Sequence, residues 1–302
     1  MSYAPVALFV YNRPWHTRQT VEALLANLEA AETPLYIFSD APKDAAASEG
    51  VAEVRRYVAS ISGFKFVSII ERDRNYGLAE SIIDGVTQVC RQYGQVIVLE
   101  DDIVTSRHFL QFMNDGLRFY ENDERLISIS GYVYPVETEL PETFLLRGAD
   151  CWGWATWARG WSLFEPDGKV LLQGLEEQGL THTFDSNGTY PFTQMLRNQI
   201  KSKNNSWAIR WHATAFLHNK FTLYPGKTLV HNIGVDGSGT NCAPTDVFSG
   251  DMATVPVTIR AIRVEENEFA RKQIMLFHRR WRSSLPVRIF RKLKNSFSKS
   301  EK

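Results

Sequence analysis

The stretch that decides the fold is residues 95–103, which read QVIVLEDDI. Residues 96–99 form an apolar run typical of a buried strand in a parallel sheet, and three adjacent carboxylates follow it. Open α/β sheets bind ligands just beyond the carboxyl ends of their strands. Like charges at that point raise one another's pKa values unless a metal ion or a paired base neutralises them. The sequence therefore predicts a cation site, which a hard divalent ion shared with substrate phosphates would fill.

A second interpretation of the three acids, Glu100, Asp101 and Asp102, is that they stabilise the N-terminus of the next helix. A helical pattern begins near Ser106, and acidic side chains are favourable at that end of a helix. Two or three acids exceed what capping requires, so the cation site is the preferred interpretation.

Composition describes an ordinary globular chain. It has 302 residues and 44% hydrophobic content, enough for one large domain or one and a half. It contains no run of about 20 apolar residues and no charged-then-apolar leader pattern, so we expect a cytoplasmic protein. The three cysteines are far apart, which suggests buried thiols instead of a disulfide framework or a zinc site. They are Cys90, Cys151 and Cys242.

Strand and helix patterns alternate along the first half of the chain. Helical patterns open at Pro14 and recur over residues 51–58, 78–93 and 108–120. This alternation is typical of βαβ units and a mainly parallel sheet. Beyond Pro135 the periodicity is less clear and the segments are aromatic and glycine-bearing. The predicted strands are residues 5–11, 35–38, 64–70, 95–103 and 126–133.

Two common nucleotide-binding motifs are absent. The chain has no GxxxxGK[ST] and no GxGxxG after its first strand, so neither a P-loop nor a dinucleotide fold is supported. Instead, Tyr11, Asn12 and Arg13 follow the first strand, and the second ends in Asp40. An arginine at a strand end can reach phosphate, and an aspartate can accept from a base or a ribose hydroxyl.

Four motifs in order resemble the GT-A fold glycosyltransferases. Residues 5–13, PVALFVYNR, are similar to the nucleotide-binding opening of that fold, and Glu100-Asp101-Asp102 matches the Glu-Asp-Asp form of its metal motif, as in N-acetylglucosaminyltransferase I. Residues 150–157, 206–211 and 232–239 resemble bacterial sugar transferases of surface-polysaccharide pathways. The likeness spans roughly residues 4 to 245. It implies a Rossmann-like, mainly parallel sheet flanked by helices, with an irregular acceptor-side half and a basic C-terminal helical tail.

The resemblance also implies roles for residues and a cofactor. Asp102 is expected on Mn²⁺ or Mg²⁺, which bridges the donor diphosphate and stabilises the charge that grows on it as the sugar departs. Asp101 is expected near the ribose or a metal-bound water, and His231 as a further metal ligand, although a lone histidine is more often structural. The expected nucleotide-binding residues are Tyr11, Asn12, Arg13, Asp40, Asn75, Gly77, Glu100 and Asp101.

The catalytic base departs from the family pattern. An inverting enzyme needs a base within reach of the acceptor hydroxyl. Where relatives have an acid before the tryptophan that matches Trp207, this chain has Asn205 and Ser206. Asp150 and Asp236 are the remaining candidates, Asp150 being preferred. The departure also leaves a retaining mechanism open.

Tryptophans are dense after Asp150. Four lie within ten residues, a density suited to stacking on sugars or to packing a core, and the two uses are about equally expected. We predict sugar or acceptor contacts for Trp152, Trp154 and Trp207. Trp207 and Trp211 have helical spacing, which favours a core role for that pair.

The C-terminal tail differs from the rest of the chain in charge. Residues 271–302 carry eleven Lys or Arg and one acid, so the tail is +10 and the rest of the chain −10. Apolar residues at steps of three or four predict a basic amphipathic helix on an anionic membrane, and folding back onto the acidic half is the alternative. The predicted organisation is a nucleotide-sugar half, an acceptor half and the tail, over residues 1–135, 136–265 and 266–302.

These features together predict a metal-dependent, inverting hexosyltransferase that moves a sugar from a nucleotide donor to a growing, lipid-linked surface glycan such as O-antigen, capsule or exopolysaccharide. Charge alone would allow nucleic-acid binding, but no stacking platform or reading motif supports it. The alternatives are a sugar nucleotidyltransferase, which usually needs a glycine-rich basic loop after the first strand, and a non-catalytic carbohydrate-binding scaffold.

Overall fold

The structure is a computed structural model that describes residues 3–237 and 246–297, with side chains up to Arg282. Its strands are β1 Val6–Val10, β2 Pro34–Ser39, β3 Phe66–Glu71, β4 Gln95–Glu100, β5 Ile103–Thr105, β6 Leu126–Ser130, β7 Thr143–Arg147, β8 Trp154–Trp157, β9 Phe221–Pro225 and β10 Val230–Asn232. Its helices are α1 Pro14–Leu25, α2 Ser48–Val58, α3 Gly77–Tyr93, α4 Phe109–Phe119, α5 Ala158–Trp161, α6 Gly168–Glu177, α7 Thr181–Phe184, α8 Phe192–Ile200, α9 Trp207–Leu217 and α10 Glu268–Phe297.

One large sheet organises the described residues, with strand order β3-β2-β1-β4-β8-β6-β9-β7. The first four strands in this order run parallel, β8 is antiparallel to both of its neighbours, and β7 is antiparallel to β9. A two-stranded antiparallel ribbon, β5 with β10, lies beside the sheet. The sheet confirms the predicted fold class, a GT-A-like, Rossmann-like α/β fold.

Helices cover both faces of the sheet. On one face α1, α2 and α4 bury residues such as Leu24, Val54 and Phe112. On the other, α3 and α9 pack residues such as Val86 and Trp211 against β1 and β4. The parallel strands are therefore buried on both sides, which is why their sequences are continuously apolar instead of alternating.

Local sequence explains which elements come after β1 and after β4. Pro14 occupies the first turn of α1, where its missing N–H costs no hydrogen bond. After β4, the backbone turns at Asp101 and Asp102 and continues as β5, and α4 begins only at Phe109. The acids therefore do not cap α4, and the helix N-terminus interpretation is wrong.

The C-terminal segment is helical, as the tail pattern predicts, from Glu268 to Phe297. Its N-terminal part packs onto the rest of the described chain, where Ala270 is buried and Arg282 donates to the carbonyl of Gly188 at 3.0 Å. Residues 298–302 lie outside the described residues, as do Cys242 and the end of the 232–239 motif. In the part of the chain that the structure describes, no helix combines the length and apolar character needed to span a bilayer.

Candidate functional site

The loops that follow β1, β2, β3 and β4 meet at one edge of the sheet. Because β1 pairs in parallel with both β2 and β4, Val10 lies beside Ser39 and Phe9 beside Glu100. The residues that follow these positions are therefore neighbours at the carboxyl edge, where open α/β sheets hold ligands. The sheet thus brings together the segments that contain Arg13, Asp40 and Asp102, separated by up to 89 positions.

The two aspartates after β4 are paired with a base. Arg13 Nη2 donates to Asp101 Oδ1 in a short ion pair and to Asp102 Oδ2 at 2.9 Å. Asp101 and Asp102 are only 5% and 9% exposed. Burial lowers the pKa of Arg13, but the two carboxylates more than offset this and raise it. Of the two cations that the sequence allowed, a metal ion or a basic side chain, the structure shows the basic side chain.

Glu100 and Asp101 face different surroundings. Burial and, after it, the two aspartates raise the pKa of Glu100 to about 8, against the smaller lowering effects of Arg13 and of a hydrogen bond with Trp207. Burial also raises the pKa of Asp101 to about 6, although Arg13 lowers it. Glu100 therefore lies on the Trp207 side of β4, while Asp101 and Asp102 hold Arg13.

A segment after β10 closes over Asp102. The N–H of Ile233 donates to the Asp102 carbonyl at 2.9 Å. A Cβ on Gly234 would overlap Asp102 Oδ2 and lie 2.9 Å from Arg13 Nη1, so no larger residue fits without displacement. Asp236 is joined to His16 of α1 by a hydrogen bond of 3.1 Å. We call residues 232–236 the roof of the site.

The donor set suits a divalent ion shared with a substrate. Asp101 and Asp102 offer buried hard oxygens, and Mg²⁺-type sites often use one or two carboxylates together with substrate phosphates. Within residues 3–237 and 246–297, no group of three or more His, Cys, Asp or Glu forms a complete protein cage. His231 lies on β10 opposite Val104, just before the roof, and its ligand role stays a prediction.

Asp40 is occupied by protein donors. Its carboxylate accepts from the backbone N–H groups of Ala41, Tyr76 and Gly77 at 2.8–2.9 Å and from Asn75 Nδ2 at 3.0 Å. Four donors use the lone-pair directions of both oxygens. The structure thus brings together Asp40, Asn75 and Gly77, and their hydrogen bonds join the end of β2 to the start of α3. We call this group the latch. The nucleotide contacts expected of the three residues stay predictions.

The remaining residues of the first motif lie on the same edge. The Tyr11 hydroxyl accepts from the backbone N–H of Lys43 at 3.0 Å. The Asn12 carbonyl lies against α2, where a Cβ on Gly50 would be 2.7 Å away. Tyr11 and Asn12 are half-buried, so each leaves part of its surface open to the edge.

Asp150 lies at the β8 side of this edge. It precedes β8, whose antiparallel pairing with β4 places its N-terminal end beside the C-terminal end of β4. Asp150 Oδ1 accepts from the N–H groups of Cys151 at 2.7 Å and Trp152 at 3.5 Å, and burial raises the pKa of its carboxyl to about 6. The side chain remains half-buried, not sealed.

Aromatic residues surround Asp150. Its charge is close enough to raise the pKa values of the Tyr132 and Tyr134 hydroxyls, beyond the larger effect of burial. Trp152 is half-buried, with its ring centroid 4.6 Å from Tyr132 and 6.0 Å from Phe248. A half-buried ring can stack on a sugar face, and the sugar contact of Trp152 stays a prediction.

Trp154 and Trp207 are placed differently from Trp152. Trp154 has no exposed surface, and its ring centroid lies 5.4 Å from Trp207 and 5.6 Å from Trp211. Trp207 is also buried, next to Glu100. Burial favours the packing alternative for both residues, and Trp207 contributes to the site through Glu100.

The two residues at the family's usual base position have helix-end roles. Ser206 is the N-cap of α9, and its Oγ accepts from the N–H of Ile209 at 3.2 Å. Asn205 Oδ1 accepts from Arg210 at 3.4 Å. Of the two carboxylates left, Asp236 belongs to the roof beside Asp102, and Asp150 lies before β8.

Sequence reasoning missed several parts of the site. His16 had no assigned role, although it anchors the roof through Asp236. The close approach of Gly234 to Asp102 was not foreseen. The contact of α10 with the body of the fold through Phe277 and Tyr134 joins positions more than 140 residues apart, and no local signal marks it.

No known family model matches the chain, and no curated protein is significantly similar to it in sequence. Among solved structures it is similar to TarS 1–349 from S. aureus, with a TM-score of 0.40 and 9% identity over 77% of this chain and 61% of that one. The chain thus spans less than two thirds of that structure. It is also similar to a Desulfovibrio desulfuricans G20 protein assigned as a nucleotide-diphospho-sugar transferase, with a TM-score of 0.34 and 13% identity over 55% of this chain and 69% of that one.

Proposed function

We propose that this chain is a glycosyltransferase that uses a nucleotide-diphosphate sugar. The observation that carries the proposal is the buried Asp101–Asp102 pair at the carboxyl edge, with Arg13 bound to it and Gly234 against it. An anionic diphosphate suits this edge because a fixed guanidinium and a shared divalent ion can both bind it. The order of the motifs, similar to that of GT-A enzymes, supports the same assignment.

Asp102 and Asp101 are the residues that would hold Mn²⁺ or Mg²⁺. When bound, the ion would neutralise negative charge that develops on the leaving diphosphate. Arg13 contributes a fixed positive charge at the same edge; because its Nε and Nη2 donate to Asp101 and Asp102, Nη1 is the group that would donate to a phosphate oxygen. The roof, anchored by His16 and Asp236, limits the access of water to this side of the site.

Asp150 is proposed as the base of an inverting displacement. The acceptor hydroxyl oxygen bonds to the anomeric carbon, the bond from that carbon to the phosphate oxygen breaks, and Asp150 takes the hydroxyl proton. A carboxyl pKa of about 6 leaves Asp150 ionised near neutral pH yet more basic than a solvated aspartate. The half-buried Trp152, packed against the buried Tyr132, is the ring beside it that would stack on a hexose.

The acceptor is proposed to be a growing, lipid-linked surface glycan of the O-antigen, capsule or exopolysaccharide kind. The basic end of the chain supports this, since a helix rich in Lys and Arg is attracted to anionic lipid headgroups, where such acceptors are held. The protein would then act in the cytoplasm at the inner face of the plasma membrane.

The decisive experiment is a donor screen followed by a variant. Nucleoside diphosphates are tested, with and without Mn²⁺, for the thermal stabilisation that a ligand bound only to the native state produces. The nucleotide that stabilises then defines the sugar donors whose hydrolysis is assayed. We expect metal-dependent hydrolysis that Asp102→Ala abolishes and that Asp115→Ala, an exposed acid of α4, preserves. Full activity of Asp102→Ala would refute the proposal.

Membrane association needs its own test. The full chain and a chain ending at Arg282, which keeps the packed turns of α10, are sedimented with vesicles of anionic phospholipid. We expect only the full chain to pellet, and less of it as salt is raised, because screening weakens attraction to a charged surface. Equal pelleting of the two chains would exclude the tail as the membrane contact and favour its folding back onto the acidic half.

One observation favours a second candidate, a non-catalytic carbohydrate-binding protein. Asn205 and Ser206 stabilise the start of α9 at the position where related enzymes have an acid. Tight, metal-dependent donor binding without turnover, in the presence of an extract rich in acceptors, would support this candidate against the transferase.

A further inference from the structure

The backbone changes direction just before Asp150, after the end of β7. Gly148 has a φ of +104°, a left-handed conformation that favours glycine. Its N–H donates to the Lys220 carbonyl at 3.0 Å, and its own carbonyl accepts from Thr222 Oγ1 at 2.7 Å. Both peptide groups of Gly148 are therefore held by β9 and the residue before it.

His212 of α9 holds the next residue, Ala149. Its Nδ1 lies 2.8 Å from the Ala149 carbonyl oxygen and 3.1 Å from the Ala149 nitrogen. A neutral imidazole nitrogen either donates or accepts, so Nδ1 makes one of these two bonds in either tautomer. The ring also lies against Gly148, where a Cβ would overlap its Cε1 atom. His212 thus contacts both residues that precede Asp150.

Phenylalanine side chains fix the ring of His212. The ring centroid lies 4.6 Å from that of Phe192 and 5.1 Å from that of Phe184. The side chain is half-buried, and its burial lowers its pKa to about 4, although the hydrogen bond with Ala149 opposes this change. The imidazole is therefore uncharged near neutral pH, so it acts on Ala149 through its hydrogen bond and its shape.

The direction of the Asp150 carboxylate depends on the backbone around it. Oδ1 accepts from the N–H groups of Cys151 at 2.7 Å and Trp152 at 3.5 Å, and among the described residues no side chain donates to this carboxylate. A displacement of the two preceding residues would therefore move the carboxylate with them, because its hydrogen bonds lie within its own segment.

We propose that His212 is a positioning residue for Asp150. By fixing Ala149, it keeps the Asp150 carboxylate half-buried at the carboxyl edge of the sheet, in one orientation toward an acceptor hydroxyl. The effect passes through the backbone, and His212 exchanges no proton with a substrate. The role of Asp150 as a base rests on the proposed function, whereas the positioning of its carboxylate by His212 does not.

Carbon-13 NMR of the Asp150 carboxyl tests the proposal without any ligand. The full chain is labelled at its aspartate carboxyl carbons, and the Asp150 signal is identified by its loss in Asp150→Asn. Titration then gives the carboxyl pKa, which is about 6 in the parent chain. The titratable groups facing Asp150 are the hydroxyls of Tyr132, Tyr134 and Tyr224, whose pKa values are raised above 10, so they stay neutral throughout.

His212→Asn and His212→Leu form a matched pair. The two side chains have the same branched shape, and the Asn amide can donate or accept at Ala149 where Leu cannot. We expect the pKa of the Asp150 carboxyl to stay near 6 in His212→Asn. In His212→Leu it should fall by more than about one unit, because burial is what raises this pKa and the released carboxylate is hydrated. Neither variant contains an imidazole, so rescue by Asn assigns the effect to the hydrogen bond.

Leu175→Ala is the control for a general loss of packing. Leu175 is fully buried on α6, in the same cluster as Phe184. This variant should lower the thermal midpoint while the pKa of Asp150 stays near 6. If His212→Leu does not fold, Gly148→Ala disturbs the same contact through overlap with the ring and should give the same fall in pKa. A pKa near 6 in whichever of these two folds, or an equal fall in His212→Asn, would overturn the proposal.

Kinetics separates this proposal from the proposed function. With the nucleotide sugar found in the donor screen, His212→Leu should lower kcat of transfer by about 10- to 100-fold and leave the donor KM unchanged, because only the base is misplaced. His212→Asn should resemble the parent chain. Full turnover by Asp150→Asn would mean that Asp150 is not the base, and the NMR titration would still decide whether His212 positions its carboxylate.

Discussion

Arg13 lies against both carboxylates that follow β4, with Nη2 as a common donor to Asp101 and Asp102. The pairing joins the loop after β1 to the loop after β4, two neighbouring parallel strands. Since a guanidinium keeps its charge at all relevant pH values, it can hold the two buried acids together without any other cation. The same guanidinium is then placed where a donor diphosphate would lie.

Arg13→Gln should therefore destabilise the chain. Removing one partner of a buried ion pair leaves an uncompensated charge, which costs about 3 kcal/mol in the free energy of unfolding. Urea unfolding measures this, with Arg118→Gln as the control, since its exposed pair with Asp115 should contribute less than about 1 kcal/mol. Mn²⁺ should restore more stability to Arg13→Gln than to the parent chain. No stabilisation of either chain by Mn²⁺ would show that the acids do not bind it.

The Gly234 position should be intolerant of a single methyl group. Gly234→Ala places a Cβ against Asp102 and Arg13, so the roof must move away from the site. We expect loss of nucleotide-diphosphate binding, measured by titration calorimetry, with the fold retained. Gly174→Ala, inside α6 and far from the edge, is the matched control. Unchanged binding by Gly234→Ala would mean that the roof does not form part of the donor site.

Asp150 should give the reaction its pH dependence on the acid side. A base must be deprotonated to act, and the carboxyl pKa is about 6, so kcat/KM should rise as pH increases through about 6 and level off above it. Asp150→Asn, which keeps the shape, should lower kcat by about 10²- to 10⁴-fold. Asp236→Asn tests the other candidate. If it causes the larger loss and removes the acid limb, the base is Asp236.

The first half of the fold could be predicted because its signals are local. Each parallel strand buried on both faces is a short apolar run, and the helices between them keep helical spacing, so β1 to β4 and α1 to α4 were predicted to within a few residues. The short β5 has three residues and gives no such signal. β8 was missed because its four residues, Trp154–Trp157, lie in an aromatic cluster that sequence alone does not distinguish from a binding surface.

The candidate site was predictable in its residue types but not in its pairings. Strand ends with charged residues identify Arg13, Asp40 and Asp102. Whether Arg13 contacts Asp102, or Asp40 contacts Gly77, depends on which strands are neighbours. Contacts across 35 to 90 positions are set by sheet order, and a single sequence contains no direct record of that order. The latch role of Asp40 is the clearest example.

Acid should weaken the fold through His278 on α10. His278 is 2% exposed, neither ring nitrogen has a hydrogen-bond partner, and the ring packs 4.7 Å from both Tyr134 and Tyr190. Burial lowers its pKa from the ordinary value of 6.5 to about 4. Between pH 6.5 and pH 4 the unfolded chain therefore binds a proton at this histidine and the folded chain does not. The free energy of unfolding has its full value above pH 6.5 and decreases as pH falls toward 4.

Replacing the ring tests this linkage. At pH 5 the proton uptake costs the parent chain about 2 kcal/mol, which corresponds to a fall of about 3 °C in the thermal midpoint for a chain of this size. His278→Phe cannot take up the proton, so its midpoint should fall less than that of the parent between pH 7.5 and pH 5. Because the change in midpoint between the two pH values is compared, an effect of the substitution on packing that is the same at both pH values cancels. His182→Gln, at an exposed position, is the control, and a parent-like fall in His278→Phe would place the acid sensitivity elsewhere.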